Sequence, residues 1–243
     1  MDLKQYQERK TQQQSGPAMR PLCYSCLQPG KACYCHAIQR FDPGISFVLL
    51  IHPIEVRRRI ATGRMTSLCL DNSHLISGQD FSENSQVNAL IKDPANHCVI
   101  LYPGPDSSDL SVMNQTARNS LVPDGKRLTV FVIDGTWATA KKMMRESRNL
   151  HALPKICFSP DKPSGFRVRK QPKELCYSTI EAVHQTIDLL GGALGLDLTR
   201  RRPHDNLLDV FDLMVERQLL HLRHAEEIHG PFNSRDLKAR HSR

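Results

Sequence analysis

The chain has 243 residues, 40% of them hydrophobic, with 33 Lys and Arg against 25 Asp and Glu, a net charge of +8. That is enough apolar material for one large α/β domain or two small ones. No run of eighteen apolar residues occurs, and residues 1–16 are polar with no hydrophobic signal core, which excludes a membrane-spanning helix and makes the cytoplasm the expected location. A basic surplus attracts polyanions, nucleic acid above all. Here it is clustered: Lys155, Lys162, Arg167, Arg169, Lys170 and Lys173 face one acid, Asp161, and Arg200 to Arg202 add more.

In chain order, residues 1–20 are rich in Gln, Lys and Ser without apolar period and read as a flexible basic tail. Residues 21–40 follow as a small knuckle. Cys23 and Cys26 form one pair, Cys33 and Cys35 another, with a turn at Pro29-Gly30 between them. Two such pairs can converge on one tetrahedral Zn2+, which must supply the folding energy that so short a segment lacks. His36 is an alternative ligand. A site closed by four sulfurs is structural, leaving no position for a catalytic water. Cys69, Cys98, Cys157 and Cys176 read as free thiols, mostly buried.

Ile45 to Ile51 is the first strand, and the segment from Glu55 to Ala61 reads as helical, with Pro53 at its start. His52, Glu55 and Arg58 either face a site at the strand end or cap a solvated helix. A short helix is expected around Asn84 to Lys92. His97 to Tyr102 is a second buried strand, stopped by Pro103-Gly104-Pro105. Thr129 to Ile133 is the most uniform run of β-formers and ends in Asp134-Gly135. Thr136 can cap a helix over 138–149. Because open parallel sheets bind ligands beyond their strands' carboxyl ends, Asp134 and the single tryptophan, Trp137, lie where chemistry is expected. Lys155 to Ser159 is a short strand. The basic loop after it carries Phe166, a combination suited to RNA phosphates and unstacked bases. Ser178 and Glu181 have capping-box spacing at the start of a helix ending at Gly191. A last helix over 204–224, with Leu208, Phe211, Val215, Leu219 and Leu222 as its stripe, should pack on the core or on a second copy. No dinucleotide, Walker or nucleophile-elbow signature occurs.

Taken together and in this order, C-x-x-C and C-x-C (Cys23, Cys26, Cys33, Cys35), I-H-P-x-E (Ile51 to Glu55), L-Y-P-G (Leu101 to Gly104), D-G-T-W (Asp134 to Trp137) and S-T-x-E-A (Ser178 to Ala182) resemble the DTW-domain family over residues 22 to 200. The resemblance implies a SPOUT-like α/β fold: a mostly parallel sheet flanked by helices, with a C-terminal trefoil knot. That is a threading which general topology rules argue against. Residues 41–200 would form this catalytic domain and 201–243 a C-terminal helix and basic tail. It further implies S-adenosylmethionine (SAM) as co-substrate, held by Tyr102, Pro103, Gly104, Asp134, Gly135, Thr136, Trp137, Cys176, Tyr177, Ser178, Thr179 and Glu181. The capping box accounts for Ser178 and Glu181 without any ligand.

The implied reaction moves the 3-amino-3-carboxypropyl group of SAM to the imide nitrogen of a uridine in the tRNA variable loop and releases methylthioadenosine. A sulfonium activates every carbon bonded to it, so alignment decides which one reacts. Asp134 is the candidate base, with partial burial beside Trp137 raising its pKa. Its alternative role is to bind the SAM ammonium group. Neither role uses a metal. For tRNA, Arg57, Arg58, Arg59, Arg167, Arg169, Lys170 and Lys173 are nominated, with the knuckle. Alternatives are a SAM-dependent RNA methyltransferase and a non-catalytic zinc-knuckle RNA-binding protein. A monomer and a homodimer both remain open.

Overall fold

The computed structural model describes residues 21–169 and 175–229. The basic tails expected over 1–20 and from Gly230 onward, and Lys170 and Lys173, lie outside the described residues.

Six strands form one parallel sheet: β1 Ser46–Ile51, β2 Ser73–Ser77, β3 Asn96–Leu101, β4 Ser107–Asp109, β5 Arg127–Asp134 and β6 Lys155–Cys157. Their spatial order is β2-β1-β5-β3-β6-β4. Every neighbouring pair is parallel. The flanking helices are α1 Pro53–Val56, α2 Thr62–Cys69, α3 Ser85–Lys92, α4 Gln115–Ser120, α5 Trp137–Glu146, α6 Arg148–His151, α7 Thr179–Leu190 and α8 Asp205–His229.

β1, β3 and β5 read clearly in the sequence because both their faces are covered, which makes them continuously apolar. Phe47, Leu49, Val99, Val130 and Val132 face one core, closed by Met65 of α2, Val183 and Ile187 of α7, and Val210 and Phe211 of α8. Val48, Leu50, Ile100 and Phe131 face the other, closed by Val87 of α3, Met143 and Met144 of α5, and Leu150 of α6. Each such side chain contributes about 1.5–3 kcal/mol on burial.

The pattern misses β2 and β4 for one reason. They are the sheet's two edges, short and polar as exposed edges tend to be. It also misses α2, whose second residue is Gly63, a poor helix former. The helix expected over Glu55 to Ala61 is shorter than the sequence suggests. α1 ends at Val56, and the Arg64 guanidinium takes the freed carbonyls of Val56 and Arg58. The helix expected to reach 149 breaks at Ser147, whose hydroxyl accepts the Phe81 amide at 3.0 Å. Along α8 the buried stripe is Leu207, Val210, Phe211, Met214 and Val215; Leu208 is half-buried and Leu222 exposed. That stripe packs on the chain's own core.

α7 and α8 are joined by a polar network around two buried histidines. His184 bonds Asp205 at 2.8 Å, His204 bonds Asp188 at 2.9 Å, and Arg202 bridges both carboxylates.

Candidate active site

The carboxyl ends of β5, β3 and β6, three neighbours in the sheet, open into one cavity of about 760 Å³. Register aligns the tips: Leu101 pairs with Val132 and with Ile156, and Ile51 pairs with Asp134. Of the predicted co-substrate residues, Tyr102, Pro103, Asp134, Gly135, Thr136, Trp137, Cys176, Tyr177, Ser178 and Thr179 all line this cavity. Leu101, Val132 and Phe158 give it an apolar floor that the sequence reading did not single out. Trp137, 40% exposed, stands in its wall with part of the indole open to meet a planar ring.

Gly104 and Glu181 do not line the cavity. The Gly104 amide donates to the Ser107 hydroxyl at 2.9 Å and closes the turn into β4. The Glu181 carboxylate accepts from the Ser178 amide at 2.7 Å, the Ser164 hydroxyl at 2.7 Å and the Gly165 amide at 2.7 Å. The capping box is real, and it also pins the returning loop.

Asp134 sits at the centre, only 6% exposed. Its Oδ1 accepts from the Thr179 hydroxyl at 2.5 Å. Its Oδ2 has no hydrogen-bond partner, although the backbone of Gly63 lies close enough to favour the charged form. The carboxylate therefore rests between the first turns of α2 and α7, where helix dipoles favour negative charge. Burial nevertheless dominates and raises its pKa to about 6, opposed by the Thr179 hydrogen bond and reinforced by Glu55. The raised pKa expected for Asp134 has burial as its first cause. Beside burial, the groups that act on the carboxylate are Thr179, Glu55, Arg169 and Gly63.

Gly63 is a residue that the sequence reading missed. A Cβ there would lie 2.4 Å from Asp134 Oδ2 and 2.7 Å from Cγ. Only glycine allows α2 to approach this closely, and a lone glycine inside a helix was the available signal. Gly63→Ala is expected to cost about 1–3 kcal/mol of stability through overpacking. It should also lower turnover by roughly 10²-fold as the carboxylate is displaced. Chemical denaturation beside steady-state rates checks both. Unchanged values in each would mean that the strand tip yields freely.

Arg169 belongs to the cavity wall, rather than only to an RNA-facing loop. Two of its nitrogens donate to Glu55, at 3.0 and 3.4 Å, and Arg58 approaches the same carboxylate at 3.1 Å. Glu55 is 3% exposed, so a buried anion holds Arg169 in place at the cavity. His52 caps α1 by accepting the Ile54 amide, and its own amide donates to the Asp134 carbonyl at 2.9 Å. Phe166 reaches the cavity wall but shows little surface. It is 3% exposed and packs edge-on against Phe211. Arg57, Arg59 and Arg167 are exposed.

The four knuckle cysteines converge as expected, and their sulfurs lie within 4.8 Å of one another. The pairs Cys23–Cys35 and Cys26–Cys33 are 3.7 and 3.6 Å apart. A tetrahedron with metal–sulfur bonds of ~2.3 Å has edges of about 3.8 Å, so the spacing suits zinc and rules out a disulfide. Backbone amides of Cys26 and Ser25 lower the Cys23 thiol to about 6, whereas burial raises Cys26 and Cys35, so a metal's own charge would be needed to make all four thiolates. His36 stands beside Arg217 instead of joining the cluster. The knuckle is not a detached bead, since Cys26 and Tyr34 are fully buried in the core shared with α8. Among the other cysteines, Cys69 and Cys176 are buried, and Cys98 and Cys157 are half-buried.

Fold and site thus define a parallel α/β protein with a largely preformed small-molecule cavity at its strand tips. The DTW domain profile matches residues 20–219, and the chain belongs to that family. It is similar to tRNA-uridine aminocarboxypropyltransferase 2 of Drosophila melanogaster, 29% identical over 194 residues, covering 77% of this chain and 73% of the fly protein. It is also similar to the Mus musculus protein of that name, 30% identical over 176 residues, covering 70% of this chain and 57% of the relative. A third relative is tRNA-uridine aminocarboxypropyltransferase A of Arabidopsis thaliana, 24% identical over 231 residues, covering 84% and 83%. No solved structure matches the chain. Among the described residues, no helix is long and apolar enough to cross a membrane.

Proposed function

We propose that this chain is a tRNA-uridine aminocarboxypropyltransferase that uses SAM. The observation carrying the reading is Asp134, a buried carboxylate with one oxygen lacking a donor, in the wall of a cavity that also holds Arg169. Buried acceptors without partners call for explanation. The uridine imide N–H and the SAM ammonium are both donors of the right kind. The relatives' names point to the same chemistry.

In this reading the adenine packs on the apolar floor near Leu101 and Phe158. Arg169, held by Glu55, pairs with the α-carboxylate of the transferred arm, for which a guanidinium has matching geometry. The uridine imide nitrogen attacks the arm's methylene carbon next to sulfur. The carbon–sulfur bond breaks, its electron pair returns to sulfur, and neutral methylthioadenosine leaves. Asp134 takes the imide proton, a task suited to a carboxylate with a raised pKa. Anchoring the arm by its carboxylate presents the methylene, not the methyl, to the base. Zinc, held by Cys23, Cys26, Cys33 and Cys35, would be structural. The reading includes a SPOUT-type knot. Its support is that the chain after β6 returns to the tip of β5, where Thr179 meets Asp134.

The test is incubation of the full chain with SAM and unmodified tRNA, followed by nucleoside and small-molecule mass analysis. Aminocarboxypropyl-uridine and methylthioadenosine are expected, and Arg169→Ala should raise KM for SAM by roughly 10-fold or more. S-adenosylhomocysteine with a methylated nucleoside would instead make the chain a methyltransferase.

A further inference from the structure

A second cavity, of about 830 Å³, opens between the knuckle and α8. Its polar wall is Lys31, Arg59, Arg217 and His221, its apolar wall includes Leu22 and Leu220, and no acidic residue lines it. The two sides are tied together. Arg217 donates to the Cys33 carbonyl at 2.5 Å, and Gln28 donates to the Arg59 carbonyl at 2.7 Å. Arg59 directly follows Arg58, which pairs with Glu55, which in turn holds Arg169 in the wall of the first cavity. Tyr24, on the same knuckle, is 101% exposed and its ring is free.

We infer that this groove seats a stretch of tRNA sugar–phosphate backbone remote from the reacting uridine, with Tyr24 offering a ring on which an unpaired base can stack. The inference rests on tRNA being the substrate. Charge complementarity selects this occupant: Lys31, Arg59 and Arg217 with His221, and no acid, suit a polyanion. The chain's own first twenty residues fit poorly there, since Lys4, Arg9, Lys10 and Arg20 outnumber Asp2 and Glu8. The knuckle gains a task from this. Its metal shapes one wall of the groove, and Arg217 carries that wall onto α8.

The test uses the full chain carrying Lys31→Ala, Arg59→Ala and His221→Ala. None of these side chains makes a hydrogen bond or ion pair among the described residues, so the fold should survive; Arg217 is kept because it ties down the knuckle. At about 0.1 M salt the tRNA Kd should rise roughly 10- to 100-fold. The slope of log Kd against log salt should shrink by about 2, as expected for two or three lost phosphate contacts. SAM affinity, measured without tRNA, should not change. Tyr24→Ala should weaken tRNA binding several-fold while sparing duplex RNA. An unchanged Kd and slope in the triple variant would overturn the proposal. So would a photo-crosslinker at Leu22 that captures only the chain's own first twenty residues. Wild type that binds tRNA in this salt-dependent way but transfers nothing would sink the reaction assignment and leave the groove standing.

Discussion

Replacing Asp134 with Asn is expected to lower turnover by roughly 10²–10⁴-fold while making the protein more stable above pH 7. Both effects come from the same burial. The carboxylate is pushed up to about 6 from its ordinary 3.8 because the folded chain removes it from water. At 1.36 kcal/mol per pKa unit, carrying that charge costs about 3 kcal/mol, an order-of-magnitude figure. The sign follows from the raised value. Above about pH 6 the folded protein bears the full cost. As pH falls from about 6 towards 4, the folded form takes up a proton before the unfolded chain does, and the cost fades. Asp134→Asn should therefore melt higher than wild type at pH 8, with the gap closing by pH 4. Wild-type kcat/KM should fall as pH drops through about 6, and the residual activity of the variant should lose that limb. If turnover is kept while KM for SAM rises sharply, Asp134 binds the ammonium group and solvent takes the proton. A variant with normal rates and a normal pH limb would remove Asp134 from the chemistry.

Stripping the zinc proposed for the four-cysteine cluster should be the other large effect, and it should fall on stability and tRNA binding before it touches the cavity. Cys26 and Tyr34 are fully buried in the core shared with α8. Without the metal the four sulfurs lose what gathers them, so a knuckle emptied by a chelator is expected to open. Exposing those two side chains costs roughly 3–6 kcal/mol. For a chain of this size, that corresponds to a fall in Tm of roughly 6–24 °C. Cys33→Ser should behave like chelation. Calorimetry with and without chelator, alongside SAM and tRNA titrations, separates the consequences: tRNA affinity should collapse while SAM affinity persists. Loss of both together, at a temperature where the fold is intact, would contradict a purely structural metal.

Leu27 is consistent with this picture. It is the one non-glycine residue among those described that adopts a positive φ, +57°, and it directly follows the Cys23–Cys26 pair. Such backbone costs about 1–2 kcal/mol and persists only where its surroundings compel it. A metal binding all four sulfurs would supply that compulsion.

Elements with a one-dimensional signature were legible before any coordinates. The three central strands announce themselves because burial on both faces demands unbroken apolar runs. The four knuckle cysteines do so because soft donors at short spacing have few other uses, and Asp134 because it follows the most uniform run directly. Order along the chain of five short motifs was enough to indicate the family. What only the tertiary structure decided is everything that depends on distance across the fold. Gly63 matters because α2 lies against a carboxylate 71 residues further along. Arg169 moves from an assumed RNA-facing loop into the cavity wall because Glu55, 114 residues earlier, holds it there. Phe166 turns inward for Phe211, and Glu181 has its oxygens occupied by Ser178 and the loop at Ser164-Gly165. Local patterns report which face of a strand or helix is buried. They carry no record of which distant polar group meets it there, because hydrogen bonds and ion pairs are satisfied by proximity in space.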